Sequence, residues 1–366
     1  MKTDVFVRSL QLEQDPGPVL KALLAKTDGL KNLEPGSLVL LKPNFVAPFQ
    51  KATTDLAFLE VIIEAVRQAR AVPVVGESSG FEFDTEATLS ILGVRKFLDL
   101  LDVEFINFED GQYITLEMEH GLPPLEVAEV AVKADLIINL PVLKGHTITK
   151  MTGATKNFFG LLSRPARRRL HCKGLDKGIA LLARSFPQSV HIMDARRRMV
   201  RAVFSDPKPL NYCLAGSDPF TLDHFGCLLL GINPLSVWHL DRIPHYTLDG
   251  PPYVHSEMNE KASTKERLHR ALYAGFYYFD ELKSKTIGGQ SIIPHLHWTL
   301  GIHPDLSQVP ADRLPELAQI CPVKAIDPTN GRLKKELCIH VRCLRCYFED
   351  PTGSVKLKGL NHKNSV

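Results

Sequence analysis

The chain has 366 residues and a mass of 40.8 kDa, more than the roughly 100–200 residues of one ordinary domain, which predicts one large domain with an appendage, or two domains. Hydrophobic residues make up 44% and charged residues 23%, with 44 Lys and Arg against 41 Asp and Glu. This balance excludes intrinsic disorder and a wholly polybasic chain. No apolar run approaches the roughly 20 residues of a membrane span, and the stretch from Met1 to Arg8 lacks a signal-peptide core. The expectation is a cytoplasmic protein without membrane attachment.

In chain order, Ser37 to Asn44 reads as an apolar strand ended by Pro43, and Asp55 to Arg70 as a helix with Leu56, Leu59, Ile62, Ile63 and Val66 at helical spacing. Val72 to Val75 reads as a strand broken by Gly76, Thr85 to Leu92 as a helix, Val103 to Phe108 as a strand, and Ala134 to Leu140 as another. Near-continuous apolarity suits strands covered on both faces, so the predicted fold class is α/β, a mostly parallel sheet flanked by helices. Cys213 to Gly216 and the helix-like Phe220 to Leu230 extend that body. Residues 240–305 show no clear periodicity. From Ala311 onward short turns, Cys and Lys/Arg take over, which divides the chain into an α/β domain over 1–305 and a small α+β domain over 306–366.

The chain has seven cysteines, and four of them lie in that tail, which argues for a local thiolate site in a reducing compartment rather than a disulfide framework. Cys338, Cys343 and Cys346 form a close run, and Cys321-Pro322 supplies a distant fourth. This set resembles one half of a bacterial ferredoxin, in which three close cysteines and a Cys-Pro cysteine hold one cubane. The interval between Cys338 and Cys343 is four residues rather than two. Ala311, Leu314, Leu317 and Asp350-Pro351 stand where a second cluster would need cysteines. The expected cofactor is one [4Fe-4S] cluster, with zinc as the alternative because Cys343 and Cys346 form a Cys-x2-Cys knuckle.

In an open parallel sheet, ligands gather beyond the carboxyl ends of strands. Polar residues interrupt strand ends at Lys42-Pro43-Asn44, at Glu77-Ser78-Ser79-Gly80, at Lys144-Gly145-His146-Thr147 and at Gly216-Ser217-Asp218, with Asp223 following. The stretch from Lys144 to Gly160 is the richest. Its Thr149 or Thr152 is a candidate helix cap, and Lys150, Lys156 and Asn157 add charge and hydrogen-bonding groups, so the expected guest is a small anion.

Lys42-Pro43-Asn44, the Lys-Asn-Phe-Phe-Gly ending at Gly160, Ile192-Met193-Asp194 and Ser217 to Asp223 resemble the domain of unknown function family 362 over roughly residues 37–235. The resemblance implies an iron–sulfur protein whose α/β body is joined to a ferredoxin-type module, and it brings no general activity. It adds Asp194 to the candidate substrate-binding residues Lys42, Asn44, Ser78, Lys144, Thr147, Asn157 and Asp218. A fainter similarity around His146, Gly153 and Lys156 is to the N-terminal part of nickel-dependent lactate racemase. That likeness is of fold only, and no nickel cofactor follows from it.

Between Pro141 and Arg201 there are fourteen Lys and Arg and two Asp and Glu, an excess that predicts a docking face for an acidic electron-donor protein over 164–201. The arginines lack aromatic-studded basic strands or a recognition helix, which argues against nucleic acid. His295, His297 and His303 share metal-ligand chemistry, but their spacing is ordinary for a chain with 14 His. Without a Gly-x-Gly-x-x-Gly after a strand, electrons would have to come from another protein. Together these readings predict an iron–sulfur oxidoreductase in which His146, Lys156 and Glu77 are catalytic. His146 donates a proton, while Lys156 and Asn157 stabilise developing negative charge. The alternatives are a non-redox isomerase and an electron-carrier or binding protein, each with a structural cluster.

Overall fold

The computed structural model describes residues 3–358 except for 79, 81–82, 120, 147, 173, 200–206, 241–245, 251–274, 276–278, 280–302, 342–343 and 349. The chain opens with β1 (Thr3–Ser9), α1 (Gly17–Lys26) and β2 (Leu38–Lys42). It continues through α2 (Leu56–Gln68), β3 (Val72–Glu77), α3 (Thr85–Leu92), α4 (Val94–Leu100) and β4 (Phe105–Asn107). Local chemistry sets these limits. The Asp55 and Asp84 side chains accept the backbone N–H groups of Ala57 and Ala87 at the starts of α2 and α3, and Gly93, at φ 72°, ends α3 in the left-handed conformation that glycine adopts without penalty. Gly76 lies inside β3 rather than ending it. The reason is packing: a Cβ there would collide with the Phe108 ring.

A small hairpin of β5 (Tyr113–Leu116) and β6 (Leu125–Ala128) leads through α5 (Glu129–Lys133) to β7 (Leu136–Asn139). A second hairpin, β8 (Lys144–His146) with β9 (Lys150–Thr152), follows at once. Then come α6 (Ala154–Asn157), α7 (Arg164–Cys172), α8 (Leu175–Arg184), β10 (Ser189–Arg198), β11 (Lys208–Gly216), α9 (Pro219–Leu230) and β12 (Tyr246–Asp249). The main sheet runs β12-β1-β11-β10-β7-β2-β3-β4. Only β11 is antiparallel to its neighbours; the other pairings are parallel.

Alternation along each strand divides the core in two. Val39 and Leu41 of β2 and Ile138 of β7 pack with Leu59, Ile62 and Ile63 of α2 on one face. Leu40 and Ile137 pack with Phe158, Ile179 and Phe225 on the other. Successive side chains of a strand point to opposite faces, so a strand covered on both sides must be apolar throughout. Each fully buried Leu or Ile contributes about 1.5–3 kcal/mol.

The chain leaves β2 toward β3 on one side, while β7 enters on its other side. The carboxyl ends of β2 and β7 are therefore a topological switch point, where a parallel sheet opens a crevice. Lys42 and Asn139 are register partners at that point, and Asn139 is also opposite His191 of β10.

A small module is built from β13 (His303–Asp305), α10 (Leu314–Ile320), α11 (Lys335–Val341), α12 (Arg345–Phe348) and β14 (Lys356–Lys358). β13 pairs antiparallel with β14, so the module takes in three residues ahead of the boundary read from composition. Its own core includes Leu306, Leu317, Ile326, Cys346 and Val355. The module also touches the α/β body, where Leu344 and Leu357 pack with Ala47, Phe83, Val46 and Phe49. Among the described residues no helix is long and apolar enough to cross a membrane.

Candidate functional site

Lys42, the last residue of β2, and Glu77, the last of β3, form an ion pair at 2.7 Å with both side chains buried. Desolvation of this kind is costly, and further contacts offset it. Lys42 Nζ also donates to the Pro43 carbonyl at 2.8 Å, while the Glu77 carboxylate accepts the N–H groups of Phe45 and Ser78. Burial outweighs the neighbouring carboxylate and lowers the Lys42 pKa. Gly160 makes the close approach feasible, because a Cβ there would lie 2.7 Å from Glu77 Oε1. Ser78 donates its hydroxyl proton to the Gly160 carbonyl. Lys42, Glu77 and Ser78 thus frame the crevice floor and are saturated by protein partners.

Above this floor runs a chain of hydrogen bonds that all point the same way. Lys144 Nζ donates to Asn44 Oδ1 at 2.5 Å, Asn44 Nδ2 to Asn157 Oδ1 at 2.9 Å, Asn157 Nδ2 to Asn139 Oδ1 at 2.7 Å, and Asn139 Nδ2 faces His191 Nδ1 at 3.0 Å. Aligned hydrogen bonds polarise one another and fix the side chains across β8, the loop leaving β2, α6, β7 and β10. Asn139 and His191 were not singled out by sequence; the available signal was a polar residue closing the apolar run Leu-Ile-Ile. Desolvation pulls the His191 pKa down to about 3, so its Nδ1 serves as an acceptor.

The hairpin of β8 and β9 carries the candidate residues Lys144 and His146. Lys144 is opposite Thr152 and His146 opposite Lys150. Directly opposed residues share a face, and residues two apart on a strand share it too, so all four belong to one side while Met151 enters the core. Lys150 holds a left-handed φ of 65°, the kind of backbone strain that collects near functional sites. His146 Nδ1 accepts the N–H groups of Ile148 and Thr149, which leaves Nε2 as the protonated nitrogen of the neutral ring. Burial, then the charges of Lys156 and His171, hold its pKa well below the ordinary value. Thr147 lies outside the described residues.

Lys156 and Asn157 ride on α6, whose start is pinned by Asp223. That carboxylate accepts the N–H groups of Ala154 and Thr155 and the Thr155 hydroxyl. Gly153 admits it, since a Cβ there would collide with Asp223 Oδ1. Burial lowers the Lys156 amine to about 8, and burial together with the Lys156 charge lowers Lys144 to about 7. Lys144 also donates to the Ala52 carbonyl at 2.5 Å. The Lys156 side chain, by contrast, has no hydrogen bond or ion pair among the described residues; its ammonium end sits 6.0 Å from the Phe159 ring centroid. Thr152 Oγ1 and both ring nitrogens of His239 are buried without a hydrogen bond, and His239 lies 3.8 Å from Asp176. Buried polar groups are ordinarily paired, so these atoms are exceptions within the fold.

Other expected site residues are placed elsewhere. Asp194 grips Arg196 at 2.8 Å, and Arg196 also reaches Asp55 and stacks 4.3 Å from the Phe58 ring centroid. Asp218 caps α9, accepting from the Phe220 N–H and the Thr221 hydroxyl. Part of the basic surplus is paired within the fold. Arg164 and Arg167 pair with Glu109, Arg169 pairs with Glu126, and Arg198 donates to the Leu230 carbonyl.

In the small module, Cys321, Cys338 and Cys346 line one pocket together with Val323, Ile326 and Leu344. The pocket is small and opens to solvent. Cys321 Sγ accepts the Ala325 N–H at 3.3 Å, the type of bond that tunes a cluster sulfur. Lys324 and Leu344 flank the pocket with left-handed φ values of 51° and 55°. Cys343 lies outside the described residues, as do His295 and His297. Among the described residues no three His, Cys, Asp or Glu side chains stand close enough together to hold a metal ion. Three thiols around one apolar pocket fit the donor set of an iron–sulfur cluster in kind, and the fourth expected donor is Cys343.

Comparison with known proteins places the α/β body. The chain is 26% identical over 230 residues to a thylakoid-associated protein of Synechocystis sp., a match covering 60% of this chain and 71% of that protein. Among solved structures it resembles the lactate racemase apoprotein from Thermoanaerobacterium thermosaccharolyticum, with a TM-score of 0.43 at 15% identity, over 61% of this chain and 56% of that one. A Thermotoga maritima structural-genomics protein gives a TM-score of 0.36 at 14% identity over 61% of each chain. The chain thus spans less than two thirds of either solved structure, and nothing about the site rests on them. The sequence model of the domain of unknown function DUF362 matches residues 39–228, from β2 into α9 and across every strand end described above, and the chain belongs to that family.

Proposed function

We propose that the protein is an iron–sulfur oxidoreductase acting on a small anionic substrate held at the carboxyl ends of β2, β3 and β7. In this reading Cys321, Cys338, Cys343 and Cys346 hold one [4Fe-4S] cluster, which supplies single electrons when bound. Lys144 and Lys156 bind the anion, Asn44 and Asn157 orient Lys144, and His146 Nε2 delivers a proton to the developing negative charge. The supporting observation is contact between the two parts. Leu344, which lines the cysteine pocket, packs on Ala47, three residues beyond the Asn44 that Lys144 grips. The sulfur pocket and the anion site are thereby joined by one short loop.

A non-redox isomerase with a structural cluster is favoured by one observation: the Lys144, His146, Lys156 and Asn157 set lies wholly within the α/β body. Both readings require anion binding. Both amines lose protons as pH rises past about 7–8, so affinity for pyruvate or phosphate should fall at least tenfold between pH 6 and pH 9. The redox reading further requires that the dithionite-reduced protein be reoxidised by some member of a panel of small carboxylates and phosphate esters, and that Lys144→Met abolish it. Reoxidation untouched by Lys144→Met would refute the site, and turnover at a fixed oxidation state would favour the isomerase.

A further inference from the structure

We propose that the surface around Pro322, Lys324, Lys334 and Leu337 docks an acidic protein that hands electrons to the cysteine pocket. This rests on the redox reading above and names its partner. The two lysines are tied by backbone hydrogen bonds to the turns that carry the cysteines. Lys324 donates its N–H to the Cys321 carbonyl at 3.1 Å. Lys334 donates its N–H to the Ala325 carbonyl at 2.7 Å, and its own carbonyl accepts the N–H groups of Leu337 and Cys338 at 3.1 and 3.2 Å. Ile326 and Leu333, bridge partners between the two lysines, line the pocket itself. Lys324 and Lys334 are therefore neighbours of Cys321 and Cys338 in space as well as in sequence.

Charge and exposure point to one kind of occupant. Both lysines are exposed, and neither side chain has an ion pair or hydrogen bond among the described residues. From Cys321 to Cys338 there are four Lys and Arg against two Asp and Glu. One of those acids, Asp327, is engaged by Thr329 and Asn330 in its own turn. Leu337 is 42% exposed beside Cys338, and Pro322 is exposed on the pocket wall. Apolar contact area thus lies among cations, the composition of a docking patch with a charged rim. The Leu344 wall of the pocket is turned to the α/β body instead. By contrast, Arg164, Arg167, Arg169 and Arg196 already hold carboxylate partners. Exposed cations attract an acidic protein and speed its encounter. The donor gives up one electron per encounter and the iron–sulfur group takes it up, with no bond formed or broken and no proton moved.

The test is anaerobic stopped-flow reduction of the full iron-loaded chain by reduced plant-type ferredoxin, an acidic protein, with dithionite reduction measured alongside. The expected second-order rate falls as salt rises, and Lys324→Glu with Lys334→Glu lowers it about tenfold at low salt. Lys324→Gln with Lys334→Gln, which removes the charges without reversing them, should give a smaller loss. Lys21→Glu with Lys208→Glu makes the same charge change at exposed sites on α1 and β11, and should leave the rate within about twofold of wild type. Every variant should still bleach with dithionite, which needs no docking surface. Should the glutamate pair lose its iron, the glutamine pair decides. A rate indifferent to the Lys324 and Lys334 changes, an equal loss from the α1 and β11 pair, or no reduction by ferredoxin would overturn the docking surface and leave the redox reading standing. A wild-type chain that dithionite does not bleach removes both.

Discussion

Glu77 and His191 show how far the residues at the strand ends are held by other parts of the protein. Glu77 neutralises a fully buried Lys42 and accepts two backbone N–H groups as well. Removing one partner of a buried pair leaves an uncompensated charge, so Glu77→Gln should destabilise the fold by about 3–5 kcal/mol in urea titration. A loss under 1 kcal/mol would mean that Lys42 is neutral in the folded protein. His191 works through pH. Its folded pKa of about 3 lies below the ordinary 6.5. The stability it contributes is complete above the unfolded pKa and is lost as pH falls toward the folded one. Between pH 7 and pH 5 the unfolded chain gains a proton that the native ring refuses, which costs about 2 kcal/mol. Wild type should lose that amount relative to His191→Gln in paired urea titrations, and parallel pH profiles would contradict it. His191 was invisible in the sequence because a histidine inside a continuous strand has no spacing signature, whereas Lys42 and Glu77 were legible as charges closing apolar runs.

The short elements around the crevice owe their shape to side chains from distant parts of the chain. α6 has only four residues, too few to persist alone, and it exists because Asp223 of α9 satisfies its first N–H groups. Gly153→Ala would push a methyl group into that carboxylate. The expected cost is about 1–3 kcal/mol, with weakened anion binding as Lys156 and Asn157 shift; calorimetry on the variant checks both. A fully stable variant with unchanged affinity would show that α6 tolerates movement. At this scale β2, β3, β4 and β7 and the helices α2, α3 and α9 were legible from apolar patterning. The hairpin of β8 and β9 was not, because three-residue strands set by pairing carry almost no pattern of their own. Asp218 was legible as a polar strand-end residue, but sequence could not tell a helix cap from a ligand, since both roles use the same oxygen atoms.

Across the whole molecule, a local charge count and the pairing in the fold carry different information. Within the surplus between Pro141 and Arg201, Arg164, Arg167, Arg169 and Arg196 form ion pairs with Glu109, Glu126, Asp55 and Asp194. Most of those partners lie outside the counted window, so no local sum could reveal the pairing. Cysteine spacing is a different kind of signal, because a ligand set must be built from few residues in a fixed order; Cys321, Cys338 and Cys346 line one pocket, and what they hold is open to measurement. That pocket abuts the loop leaving β2, and through it the parallel sheet and the small module meet. The account stands or falls with what the cysteines hold. Anaerobically purified protein should be brown, contain about four iron and four acid-labile sulfide per chain and bleach on adding dithionite. A colourless protein with one tightly held zinc per chain would contradict it.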